Sequence, residues 1–386
     1  MSQNILCGTL IDGENEEPFK GVWLTISDGL IKSISDSKPV GSEEFLDLSR
    51  FTILPGFIDC HDHVCLDPGD EFAQAQEPLG WLAVRGAARV RTIIEAGVTT
   101  LRNAGEHERL DLSLKRAIEA GMIPGPRLLT AGIWICRTGG HGWYDEIEAD
   151  GPWEIRKAIR EEVKHGADWI KIMVTGGIST PNSDANMSDF TREEIFVAVD
   201  EAHRLGKKIS AHAHGGPGVD SLIEAGVDSI EHGFYLTQSQ LHEMAKKGIY
   251  LCSTYGIIAA IIDEPSSPDF SREGCIKVAK IIHQMLIKAI QENVPIVVGT
   301  DGNHGKMAVE LEALIKSGYS HSQAIKALTS QAARFLGLES QTGSIKKGFK
   351  ADLVIIDGDP LSDIYAIENI KLVMKDGNII FRNFPI

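Results

Sequence analysis

A local pattern repeats through the middle of this 386-residue chain: an amphipathic helical stretch ends at a glycine, and a short, mostly β-branched run follows. The pattern occurs around Gly97, Gly166, Gly226 and Gly248. Glycine can close a helix there because it adopts the left-handed conformation at low cost. Helices that alternate with short buried strands predict a parallel sheet with helical crossovers.

Strand candidates are separated by helical stretches, for example at 154–164, 192–205 and 273–291. Eight strands with helices between them predict an α/β fold, a (β/α)8 TIM barrel. An open doubly wound sheet is the alternative, but no Gly-x-Gly-x-x-Gly follows the first strand. The eight candidate strands are 53–63, 98–103, 127–132, 169–175, 208–214, 228–232, 249–254 and 295–301.

The two ends of the chain differ from the middle, because short alternating apolar runs flank turn signals there. Asp28-Gly29 separates two such runs near the start, and Asp376-Gly377 separates two near the end. Both segments therefore predict antiparallel hairpins. We predict that residues 1–56 and 341–386 form one small β-sandwich domain beside a barrel domain at 57–340.

The charge balance, 38 basic against 54 acidic side chains, gives a net charge of -16. Such a chain repels phosphate backbones, so we expect no nucleic-acid partner. No apolar run approaches the ~20 residues that a membrane helix needs, and no signal peptide is visible. The six cysteines form no Cys-x-x-Cys pair, which indicates reduced, buried thiols and a cytoplasmic location.

Ionisable side chains collect at the predicted C-terminal ends of the strands, where a barrel carries its active site. His61 and His63 are two residues apart and therefore share one face of a strand, as do His212 and His214. Convergent imidazoles suit a divalent metal, although a lone His-x-His pair is equally compatible with a structural role. Three further strand ends favour the metal site, because they carry Lys171, His232 and Asp301.

Lys171 interrupts an apolar strand. A buried ammonium without a partner is costly and normally loses its charge, so either a structural salt bridge or a role at the site would explain it. The histidines on predicted helices or their flanks are interpreted as solvated: His107, His165, His203, His242, His283 and His321.

The chain resembles the amidohydrolase superfamily, in particular its prolidase-like, imidazolonepropionase-related branch of metal-dependent dipeptidases. The resemblance rests on LPGFIDCHDH at 54–63, KIMVTGG at 171–177, His212, EHG at 231–233 and GTD at 299–301. GSIKKG at 343–348, followed by ADLV at 351–354, resembles that family's return into its small β-sandwich. These motifs span nearly the whole chain.

The resemblance implies two divalent metal ions, usually zinc, and a homo-oligomer. One ion would be held by His61, His63 and Asp301, and the other by His212 and His232. Lys171, carboxylated by carbon dioxide, would bridge the two ions. A protonated lysine cannot ligate a metal, whereas its carbamate is an anion with two oxygens, and an apolar strand favours the neutral amine that forms it.

Amide hydrolysis follows from these ligands. A water that bridges two divalent ions loses its proton near neutral pH and becomes a nucleophile. Asp301 would act as the general base and deliver the proton to the leaving amine, while one metal polarises the scissile carbonyl. The expected partner is a small-molecule substrate, a dipeptide or an N-acyl amino acid.

Four residues near the predicted mouth are candidates for substrate contact. His141 lies in a loop that resembles a substrate-facing loop of the family, and a loop-stabilising hydrogen bond is the alternative. His214 shares a face with His212 and could reach the scissile carbonyl. Tyr255 could hydrogen-bond the substrate or simply pack, and Arg137 could pair with a substrate carboxylate or lie on the surface. In the family, small residues are expected in the loop after the last barrel strand, and the loop at 302–305 departs from that pattern. The sequence therefore does not predict which substrate side chains are preferred.

Other hypotheses stay open. One is a mononuclear hydrolase or deaminase of a cyclic imide or heteroaromatic ring, but such relatives generally lack a bridging lysine, so Lys171 favours two metals. Hydrolysis of other amide-like compounds by the same site is a further possibility. A non-catalytic barrel scaffold would be expected to have lost ligands, whereas all six ligand positions are filled.

Overall fold

The strands of the computed structural model fall into sheets of two kinds, a mixed sheet from the two chain ends and parallel sheets between them. The structure describes residues 2–40, 43–145 and 147–384. In chain order the strands are β1 (Ser2–Leu10), β2 (Phe19–Lys20), β3 (Trp23–Ser27), β4 (Leu30–Ser35), β5 (Leu46–Pro55), β6 (Phe57–Asp62), β7 (Val98–Asn103), β8 (Arg127–Leu129), β9 (Ile135–Cys136), β10 (Ile147–Glu148), β11 (Trp169–Met173), β12 (Lys208–Ala213), β13 (Ser229–His232), β14 (Tyr250–Ser253), β15 (Ile296–Val298), β16 (Leu353–Ile356), β17 (Ile370–Lys375) and β18 (Asn378–Arg382).

Helices separate most of the central strands. They are α1 (Glu71–Ala75), α2 (Leu79–Glu95), α3 (Leu110–Glu119), α4 (Gly151–His165), α5 (Arg192–Arg204), α6 (Gly216–Ala225), α7 (Gln238–Lys247), α8 (Tyr255–Asp263), α9 (Asp269–Ala279), α10 (Ile282–Gln291), α11 (Met307–Lys316), α12 (His321–Leu328) and α13 (Ser330–Leu336). Short 3-10 turns span His107–Arg109, Trp143–Asp145 and Ile364–Glu368. Through the described ranges, no helix is both long enough and apolar enough to span a bilayer.

The central strands pair in parallel, in the orders β6-β7-β8 and β10-β9-β11-β12-β13-β14-β15. Every residue of β6, β7 and β11 is buried, which is typical of parallel strands covered on both faces. Backbone hydrogen bonds also connect the two sets: Asp301 N donates to His61 O at 2.8 Å, and Trp169 N donates to Thr130 O at 3.1 Å. The fold is therefore α/β with a parallel core, as the alternation predicted.

Local signals end several helices where the sequence suggests. Gly166, Gly226 and Gly248 cap α4, α6 and α7 with positive φ angles of 104°, 82° and 68°. At the start of α5, Thr191 and Glu194 form a reciprocal capping box. The connections between helix and strand are therefore encoded by neighbouring residues.

Three predicted elements are divided in the structure. The strand candidate 53–63 is β5 and β6, and the candidate 127–132 contains β8 and then bends before β9. The helix candidate 273–291 is α9 followed by α10. Its buried positions, Cys275 and Val278 before the break and Ile282 and Met285 after it, keep a helical spacing. Hydrophobic periodicity therefore does not reveal that break.

Strands from both chain ends share one sheet, ordered β18-β17-β16-β5-β1-β3-β4, with β2 beside β1. The hairpins β3-β4 and β17-β18 are antiparallel, as predicted, and Asp28 and Asp376 adopt φ angles of 54° and 48° in their turns. The pair β1-β5 is parallel, which the hairpin prediction did not anticipate.

An ion-pair cluster connects this mixed sheet to the parallel strands. Arg127 at the start of β8 donates to Asp352 Oδ2 and to Asp376 Oδ1, each at 2.9 Å. The Asp352 side chain is fully buried and also accepts a hydrogen bond from Thr342 Oγ1 at 2.8 Å. These contacts hold the C-terminal part of the mixed sheet against β8.

Candidate active site

Side chains from the C-terminal ends of several parallel strands meet around His61. Its Nε2 lies 3.2 Å from Asp301 Oδ1 and 3.3 Å from Lys171 Nζ. His63 Nε2 is 3.7 Å from the same Asp301 oxygen, and His232 Nδ1 is 3.6 Å from Asp301 Oδ2. Five of the predicted ligand residues are therefore brought together at one end of the parallel strands.

His212, the sixth predicted ligand residue, lies beside this group. Its ring centroid is 4.6 Å from that of His232 and 4.6 Å from that of His214. The His141 ring lies 4.2 Å away on its other side. The imidazoles thus form a continuous cluster that extends from His61 toward the loops.

Each imidazole of the predicted ligand set uses one ring nitrogen for a contact outside that set, which fixes its orientation and leaves the opposite nitrogen for a metal. These contacts are His61 Nδ1 with Glu231 Oε2 at 2.6 Å, His63 Nδ1 with Gly105 O at 2.9 Å, His212 Nε2 with Gly176 O at 3.4 Å, and His232 Nδ1 with Thr254 Oγ1 at 2.8 Å.

Two glycines of the motifs allow the strand ends to approach each other. A Cβ on Gly299 would lie 2.4 Å from His61 Cβ, so only glycine lets the end of β15 pass so close to β6. A Cβ on Gly177 would lie 2.2 Å from His141 Cε1. Both glycines are therefore required by the positions of the histidines.

Glu231 belongs to a buried ion pair that supports the site from below. Arg102 donates to Glu231 Oε2 at 2.7 Å and to Cys60 O at 2.5 Å, and both charged side chains are almost fully buried. The guanidinium also contacts the rings of Trp169 and Phe335, at 4.7 and 4.9 Å from their centroids. Sequence reasoning did not identify Arg102, which lies in the fully buried strand β7.

Burial keeps the imidazoles neutral. It lowers the pKa of His63 and His214 to about 3 and that of His141 to about 4. Burial also places the pKa of His212 and His232 well below the ordinary histidine value. Neutral imidazole is the form that donates a lone pair to a metal.

The pKa shifts of Lys171 and Asp301 suit the binding of a metal ion. Burial lowers the pKa of Lys171 to about 8, so its neutral amine is accessible. Burial alone would raise the pKa of Asp301, but its contact with His61 holds that pKa well below the usual range. The site therefore offers a carboxylate beside an amine that readily loses its proton.

The donor set fits a metal ion. One nitrogen each from His61 and His63 and one oxygen from Asp301 lie within 4.8 Å of one another, and these are ligand types that zinc accepts. A second possible group combines His61 with Glu231 and Cys252. It is less suited, because Glu231 is engaged by Arg102, and burial raises the pKa of the Cys252 thiol well above its usual range.

A cleft opens above the imidazole cluster, and two of the predicted substrate-facing residues line it. His141 and His214 are both in its wall. His141 Nδ1 lies 2.7 Å from Thr180 Oγ1, which agrees with the loop-stabilising alternative. His214 Nδ1 is buried and has no hydrogen-bond partner within the described ranges. An imidazole with an unpartnered ring nitrogen can form a hydrogen bond with a substrate oxygen.

The other two candidates make contacts elsewhere. Arg137 Nε donates to Asp189 Oδ1 at 2.9 Å, and the guanidinium forms a salt bridge with that carboxylate. The Tyr255 ring lies 5.1 Å from that of His283, and its backbone N donates to Glu310. The structure thus gives Arg137 an ion pair and Tyr255 a packing contact, and their contact with substrate stays a prediction.

His304 is an ionisable residue near the site that sequence reasoning did not assign. Its Nδ1 lies 2.9 Å from Asp62 Oδ2 and its Nε2 lies 2.9 Å from Leu66 O, with Asp67 at 3.5 Å. Burial opposes its charge, but Asp62 and Asp67 raise the pKa of His304 to about 10. Strand alternation gives a signal, because Asp62 lies between two ligand histidines and must face the opposite side.

Comparison with known proteins gives a consistent result. The amidohydrolase family model matches residues 52–380. Ochratoxinase from Aspergillus niger is 28% identical over an alignment that covers 96% of this chain and 84% of that protein. Imidazolonepropionase from Clostridium tetani is 23% identical, with 96% of this chain and 93% of that protein covered.

Solved structures extend the similarity to three dimensions. A Xaa-Pro dipeptidase with methionine bound in its active site has a TM-score of 0.91 and 30% identity, and the match covers 99% of this chain and 100% of that chain. A prolidase complexed with N-methylphosphonate-L-proline has a TM-score of 0.94 and 26% identity, with the same coverage of 99% and 100%. Since the family match spans most of the residues from β5 to β18, including every strand end described above, this chain belongs to the amidohydrolase family of generally metal-dependent hydrolases of amide bonds.

Proposed function

We propose that this protein is a binuclear metal-dependent amidohydrolase that cleaves the amide bond of dipeptides or N-acyl amino acids. The observation that carries the proposal is the convergence of three imidazoles around the Asp301 carboxylate, with the Lys171 amine in contact with one of them, His61. The similarity of this protein to a Xaa-Pro dipeptidase and a prolidase supports a peptide-like substrate. Xaa-Pro dipeptides are therefore the first compounds to test.

The six predicted ligands would divide between two ions. One ion would be held by His61, His63 and Asp301, and the other by His212 and His232. Zinc suits this mixture of imidazole and carboxylate donors. Lys171 would join the two sites after its neutral amine attacks carbon dioxide, which forms one N–C bond and releases one proton. The resulting carbamate is an anion with two oxygens, whereas the ammonium offers no lone pair.

The bound ions would supply an activated water and a polarised substrate carbonyl. Asp301 is the residue best placed to move the proton. Its side chain keeps 18% exposure, toward the cleft, and its Oδ1 faces His61 and His63. Oδ2 would accept the proton of the water and then pass it to the nitrogen of the leaving amine.

His214 would orient the substrate. Its ring is stacked on Phe234, with centroids 4.8 Å apart and an interplanar angle of 26°, so the imidazole cannot turn freely. The unpartnered Nδ1 would hydrogen-bond a substrate oxygen, which satisfies a buried polar atom that otherwise costs free energy. His141 would form the neighbouring part of the wall.

We also infer that the parallel strands close into one (β/α)8 barrel at 57–340 and that 1–56 and 341–386 form a composite β-sandwich domain. The hydrogen bonds from Asp301 N to His61 O and from Trp169 N to Thr130 O support closure. The antiparallel pairing of β5 with β16 supports the composite domain. The homo-oligomer and the cytoplasmic location stay predictions.

The decisive experiment is a screen of zinc-loaded protein against Xaa-Pro dipeptides, other dipeptides and N-acyl amino acids, together with measurement of zinc per chain. We expect release of free amino acids and close to two zinc ions per chain. Protein stripped with a chelator is the control and should be inactive until zinc is restored. A single tightly held ion, with deamination or ring opening of a cyclic substrate in place of dipeptide hydrolysis, would contradict the proposal.

A further inference from the structure

A second carboxylate lines the same cleft as Asp301. Glu71, the first residue of α1, accepts hydrogen bonds on Oε2 from Tyr144 Oη and from Ser179 Oγ, each at 2.9 Å. These partners come from the loops after β9 and β11, so three separate loops position this one side chain. Within the described part of the chain, Oε1 accepts no hydrogen bond, so one oxygen remains for a ligand.

Among the described residues, the negative charge of Glu71 has no cationic partner of the kind that nearby Asp67 has. Asp67, which also lines the cleft, is paired with Arg89 at 2.7 Å and with His304 at 3.5 Å. Glu71 is bound only by two neutral hydroxyl groups in the described ranges. Burial raises the pKa of Glu71, with a further contribution from the nearby Asp301 charge. Removing a carboxylate from water costs free energy. Binding a cation that also donates hydrogen bonds to the carboxylate offsets this cost most effectively.

The rest of the cleft wall near the loops is largely apolar. Ile178, adjacent to Ser179, lines it together with Phe234, Ile257 and Ile261. A suitable ligand therefore combines a small cationic group with an apolar body. The amino-terminal residue of a dipeptide has this character, because its α-ammonium lies next to its side chain, whereas an N-acyl amino acid has no cation on the acyl side.

We infer that Glu71 is a specificity-determining residue that binds the free α-ammonium of a dipeptide, so that the site favours dipeptides over N-acyl amino acids. The inference rests on the proposed function, whose substrate class it narrows. The amino-terminal residue of the substrate would lie on the α1 side of the cleft, with its side chain against the apolar wall. Tyr144 and Ser179 are positioning residues that hold Oε2 and thereby direct Oε1.

The kinetic test compares L-leucyl-L-proline with N-acetyl-L-leucyl-L-proline, because acetylation removes the cation and leaves the scissile bond unchanged. We expect wild type to prefer the free dipeptide. In Glu71→Gln, kcat/KM for the free dipeptide should fall by about 10- to 100-fold, mainly through KM, while the acetylated compound changes little. Ser179→Ala keeps the charge and should show a smaller loss. Glu119→Gln removes an exposed carboxylate at the end of α3 and should match wild type.

A binding measurement makes the test independent of turnover. Calorimetric titration with L-leucine and with N-acetyl-L-leucine should show tighter binding of L-leucine by wild type and loss of that preference in Glu71→Gln. If neither peptide is cleaved but this preference is present, the proposed function fails and the role of Glu71 stands. If Leu-Pro is cleaved but Glu71→Gln keeps the wild-type preference, or if wild type prefers neither ligand, the role of Glu71 is overturned. Circular dichroism of each variant confirms that the fold is retained.

Discussion

At the scale of single residues, the site depends on side chains whose protonation is set by their neighbours. Asp301 stays ionised in spite of its burial because its contact with His61 holds its pKa well below the usual range. The imidazoles of His63 and His232 are neutral because burial disfavours their charged form. A carboxylate among neutral imidazoles can both ligate a cation and accept a proton.

Replacing Asp301 by Asn tests this double role, because the side chain keeps its size and loses its charge. We expect kcat to fall by about 1,000-fold, since an amide oxygen cannot take up the proton, with little change in zinc content or fold. Steady-state kinetics on the best dipeptide, with zinc measured on the same samples, gives the result. An unchanged kcat would rule out Asp301 as the general base.

Replacing Lys171 by Ala tests the proposed carbamate. Lys171→Ala should lower the zinc bound per chain, because the shared anionic ligand is missing, and short carboxylic acids such as formate or acetate should restore part of it. Wild type incubated with 13C-labelled bicarbonate should show a carbamate signal by NMR that the variant lacks. Full zinc occupancy in Lys171→Ala without added acid would show that no carbamate bridge is needed.

At the scale of elements, the end of β6 is tied to the loop that follows β15. Asp62 Oδ1 accepts hydrogen bonds from His63 N at 2.9 Å and Gly302 N at 2.6 Å, while His304 contacts Asp62 Oδ2. The pKa of His304 is raised to about 10, and that of Asp62 is lowered by His304 in spite of burial. Asp62 therefore supports two neighbouring strand ends without contacting the site itself.

This link has a defined pH dependence. Because the folded pKa of His304 lies above its ordinary value of 6.5, its contribution to stability is complete below about pH 6.5 and is lost as pH rises toward 10. His304→Asn should therefore lower the free energy of unfolding by about 3 kcal/mol near pH 6.5, and the difference from wild type should shrink by pH 9.5.

Denaturant unfolding of both proteins at pH 6.5, 8 and 9.5 provides the measurement. His203→Asn serves as the control, because His203 forms an ion pair with Asp228 at 2.8 Å while remaining 42% exposed. We expect that control to change stability by less than about 1 kcal/mol. A His304→Asn difference that stays constant over this pH range would contradict a charged His304.

At the scale of the whole molecule, strands from both chain ends are held against the parallel core through Arg127. Its guanidinium contacts Asp352 and Asp376, which belong to the C-terminal part of the mixed sheet. The Asp352 carboxylate is fully buried and has Arg127 as its cationic partner within the described ranges. Removing that partner leaves an uncompensated charge between the two parts of the molecule.

Arg127→Met should therefore lower the free energy of unfolding by about 3 kcal/mol, since a buried carboxylate loses its counter-ion. It should also increase protease cleavage near the chain ends. Denaturant unfolding and limited proteolysis measure both effects. Lys371→Met is the control, because its contact with Asp357 is long, at 3.8 Å, and the Asp357 side chain is 60% exposed, so the pair should contribute little. Equal stability of Arg127→Met and wild type would contradict the docking role of Arg127.

Several features follow from short stretches of sequence. The glycines that end α4, α6 and α7 act through their own backbone conformation, and the Asp-Gly turns act through theirs. The convergence of His61, Lys171 and Asp301 could be predicted because parallel strands present their C-terminal ends at one edge, so that these residues needed only correct strand positions to meet. Local conformation and the rule for parallel strands were sufficient for these predictions.

Other features depend on residues that lie far apart in the chain. Arg102 is 129 residues from Glu231, and Glu71 is 73 and 108 residues from Tyr144 and Ser179. Arg137 carried the right charge for a substrate carboxylate, but the fold pairs it with Asp189. The sequence alone determined the α/β alternation and the chemistry of the strand ends, because both arise from local backbone and side-chain preferences. Only the tertiary structure decided which loop residues face the cleft and which charges are compensated, because those contacts depend on how distant segments pack.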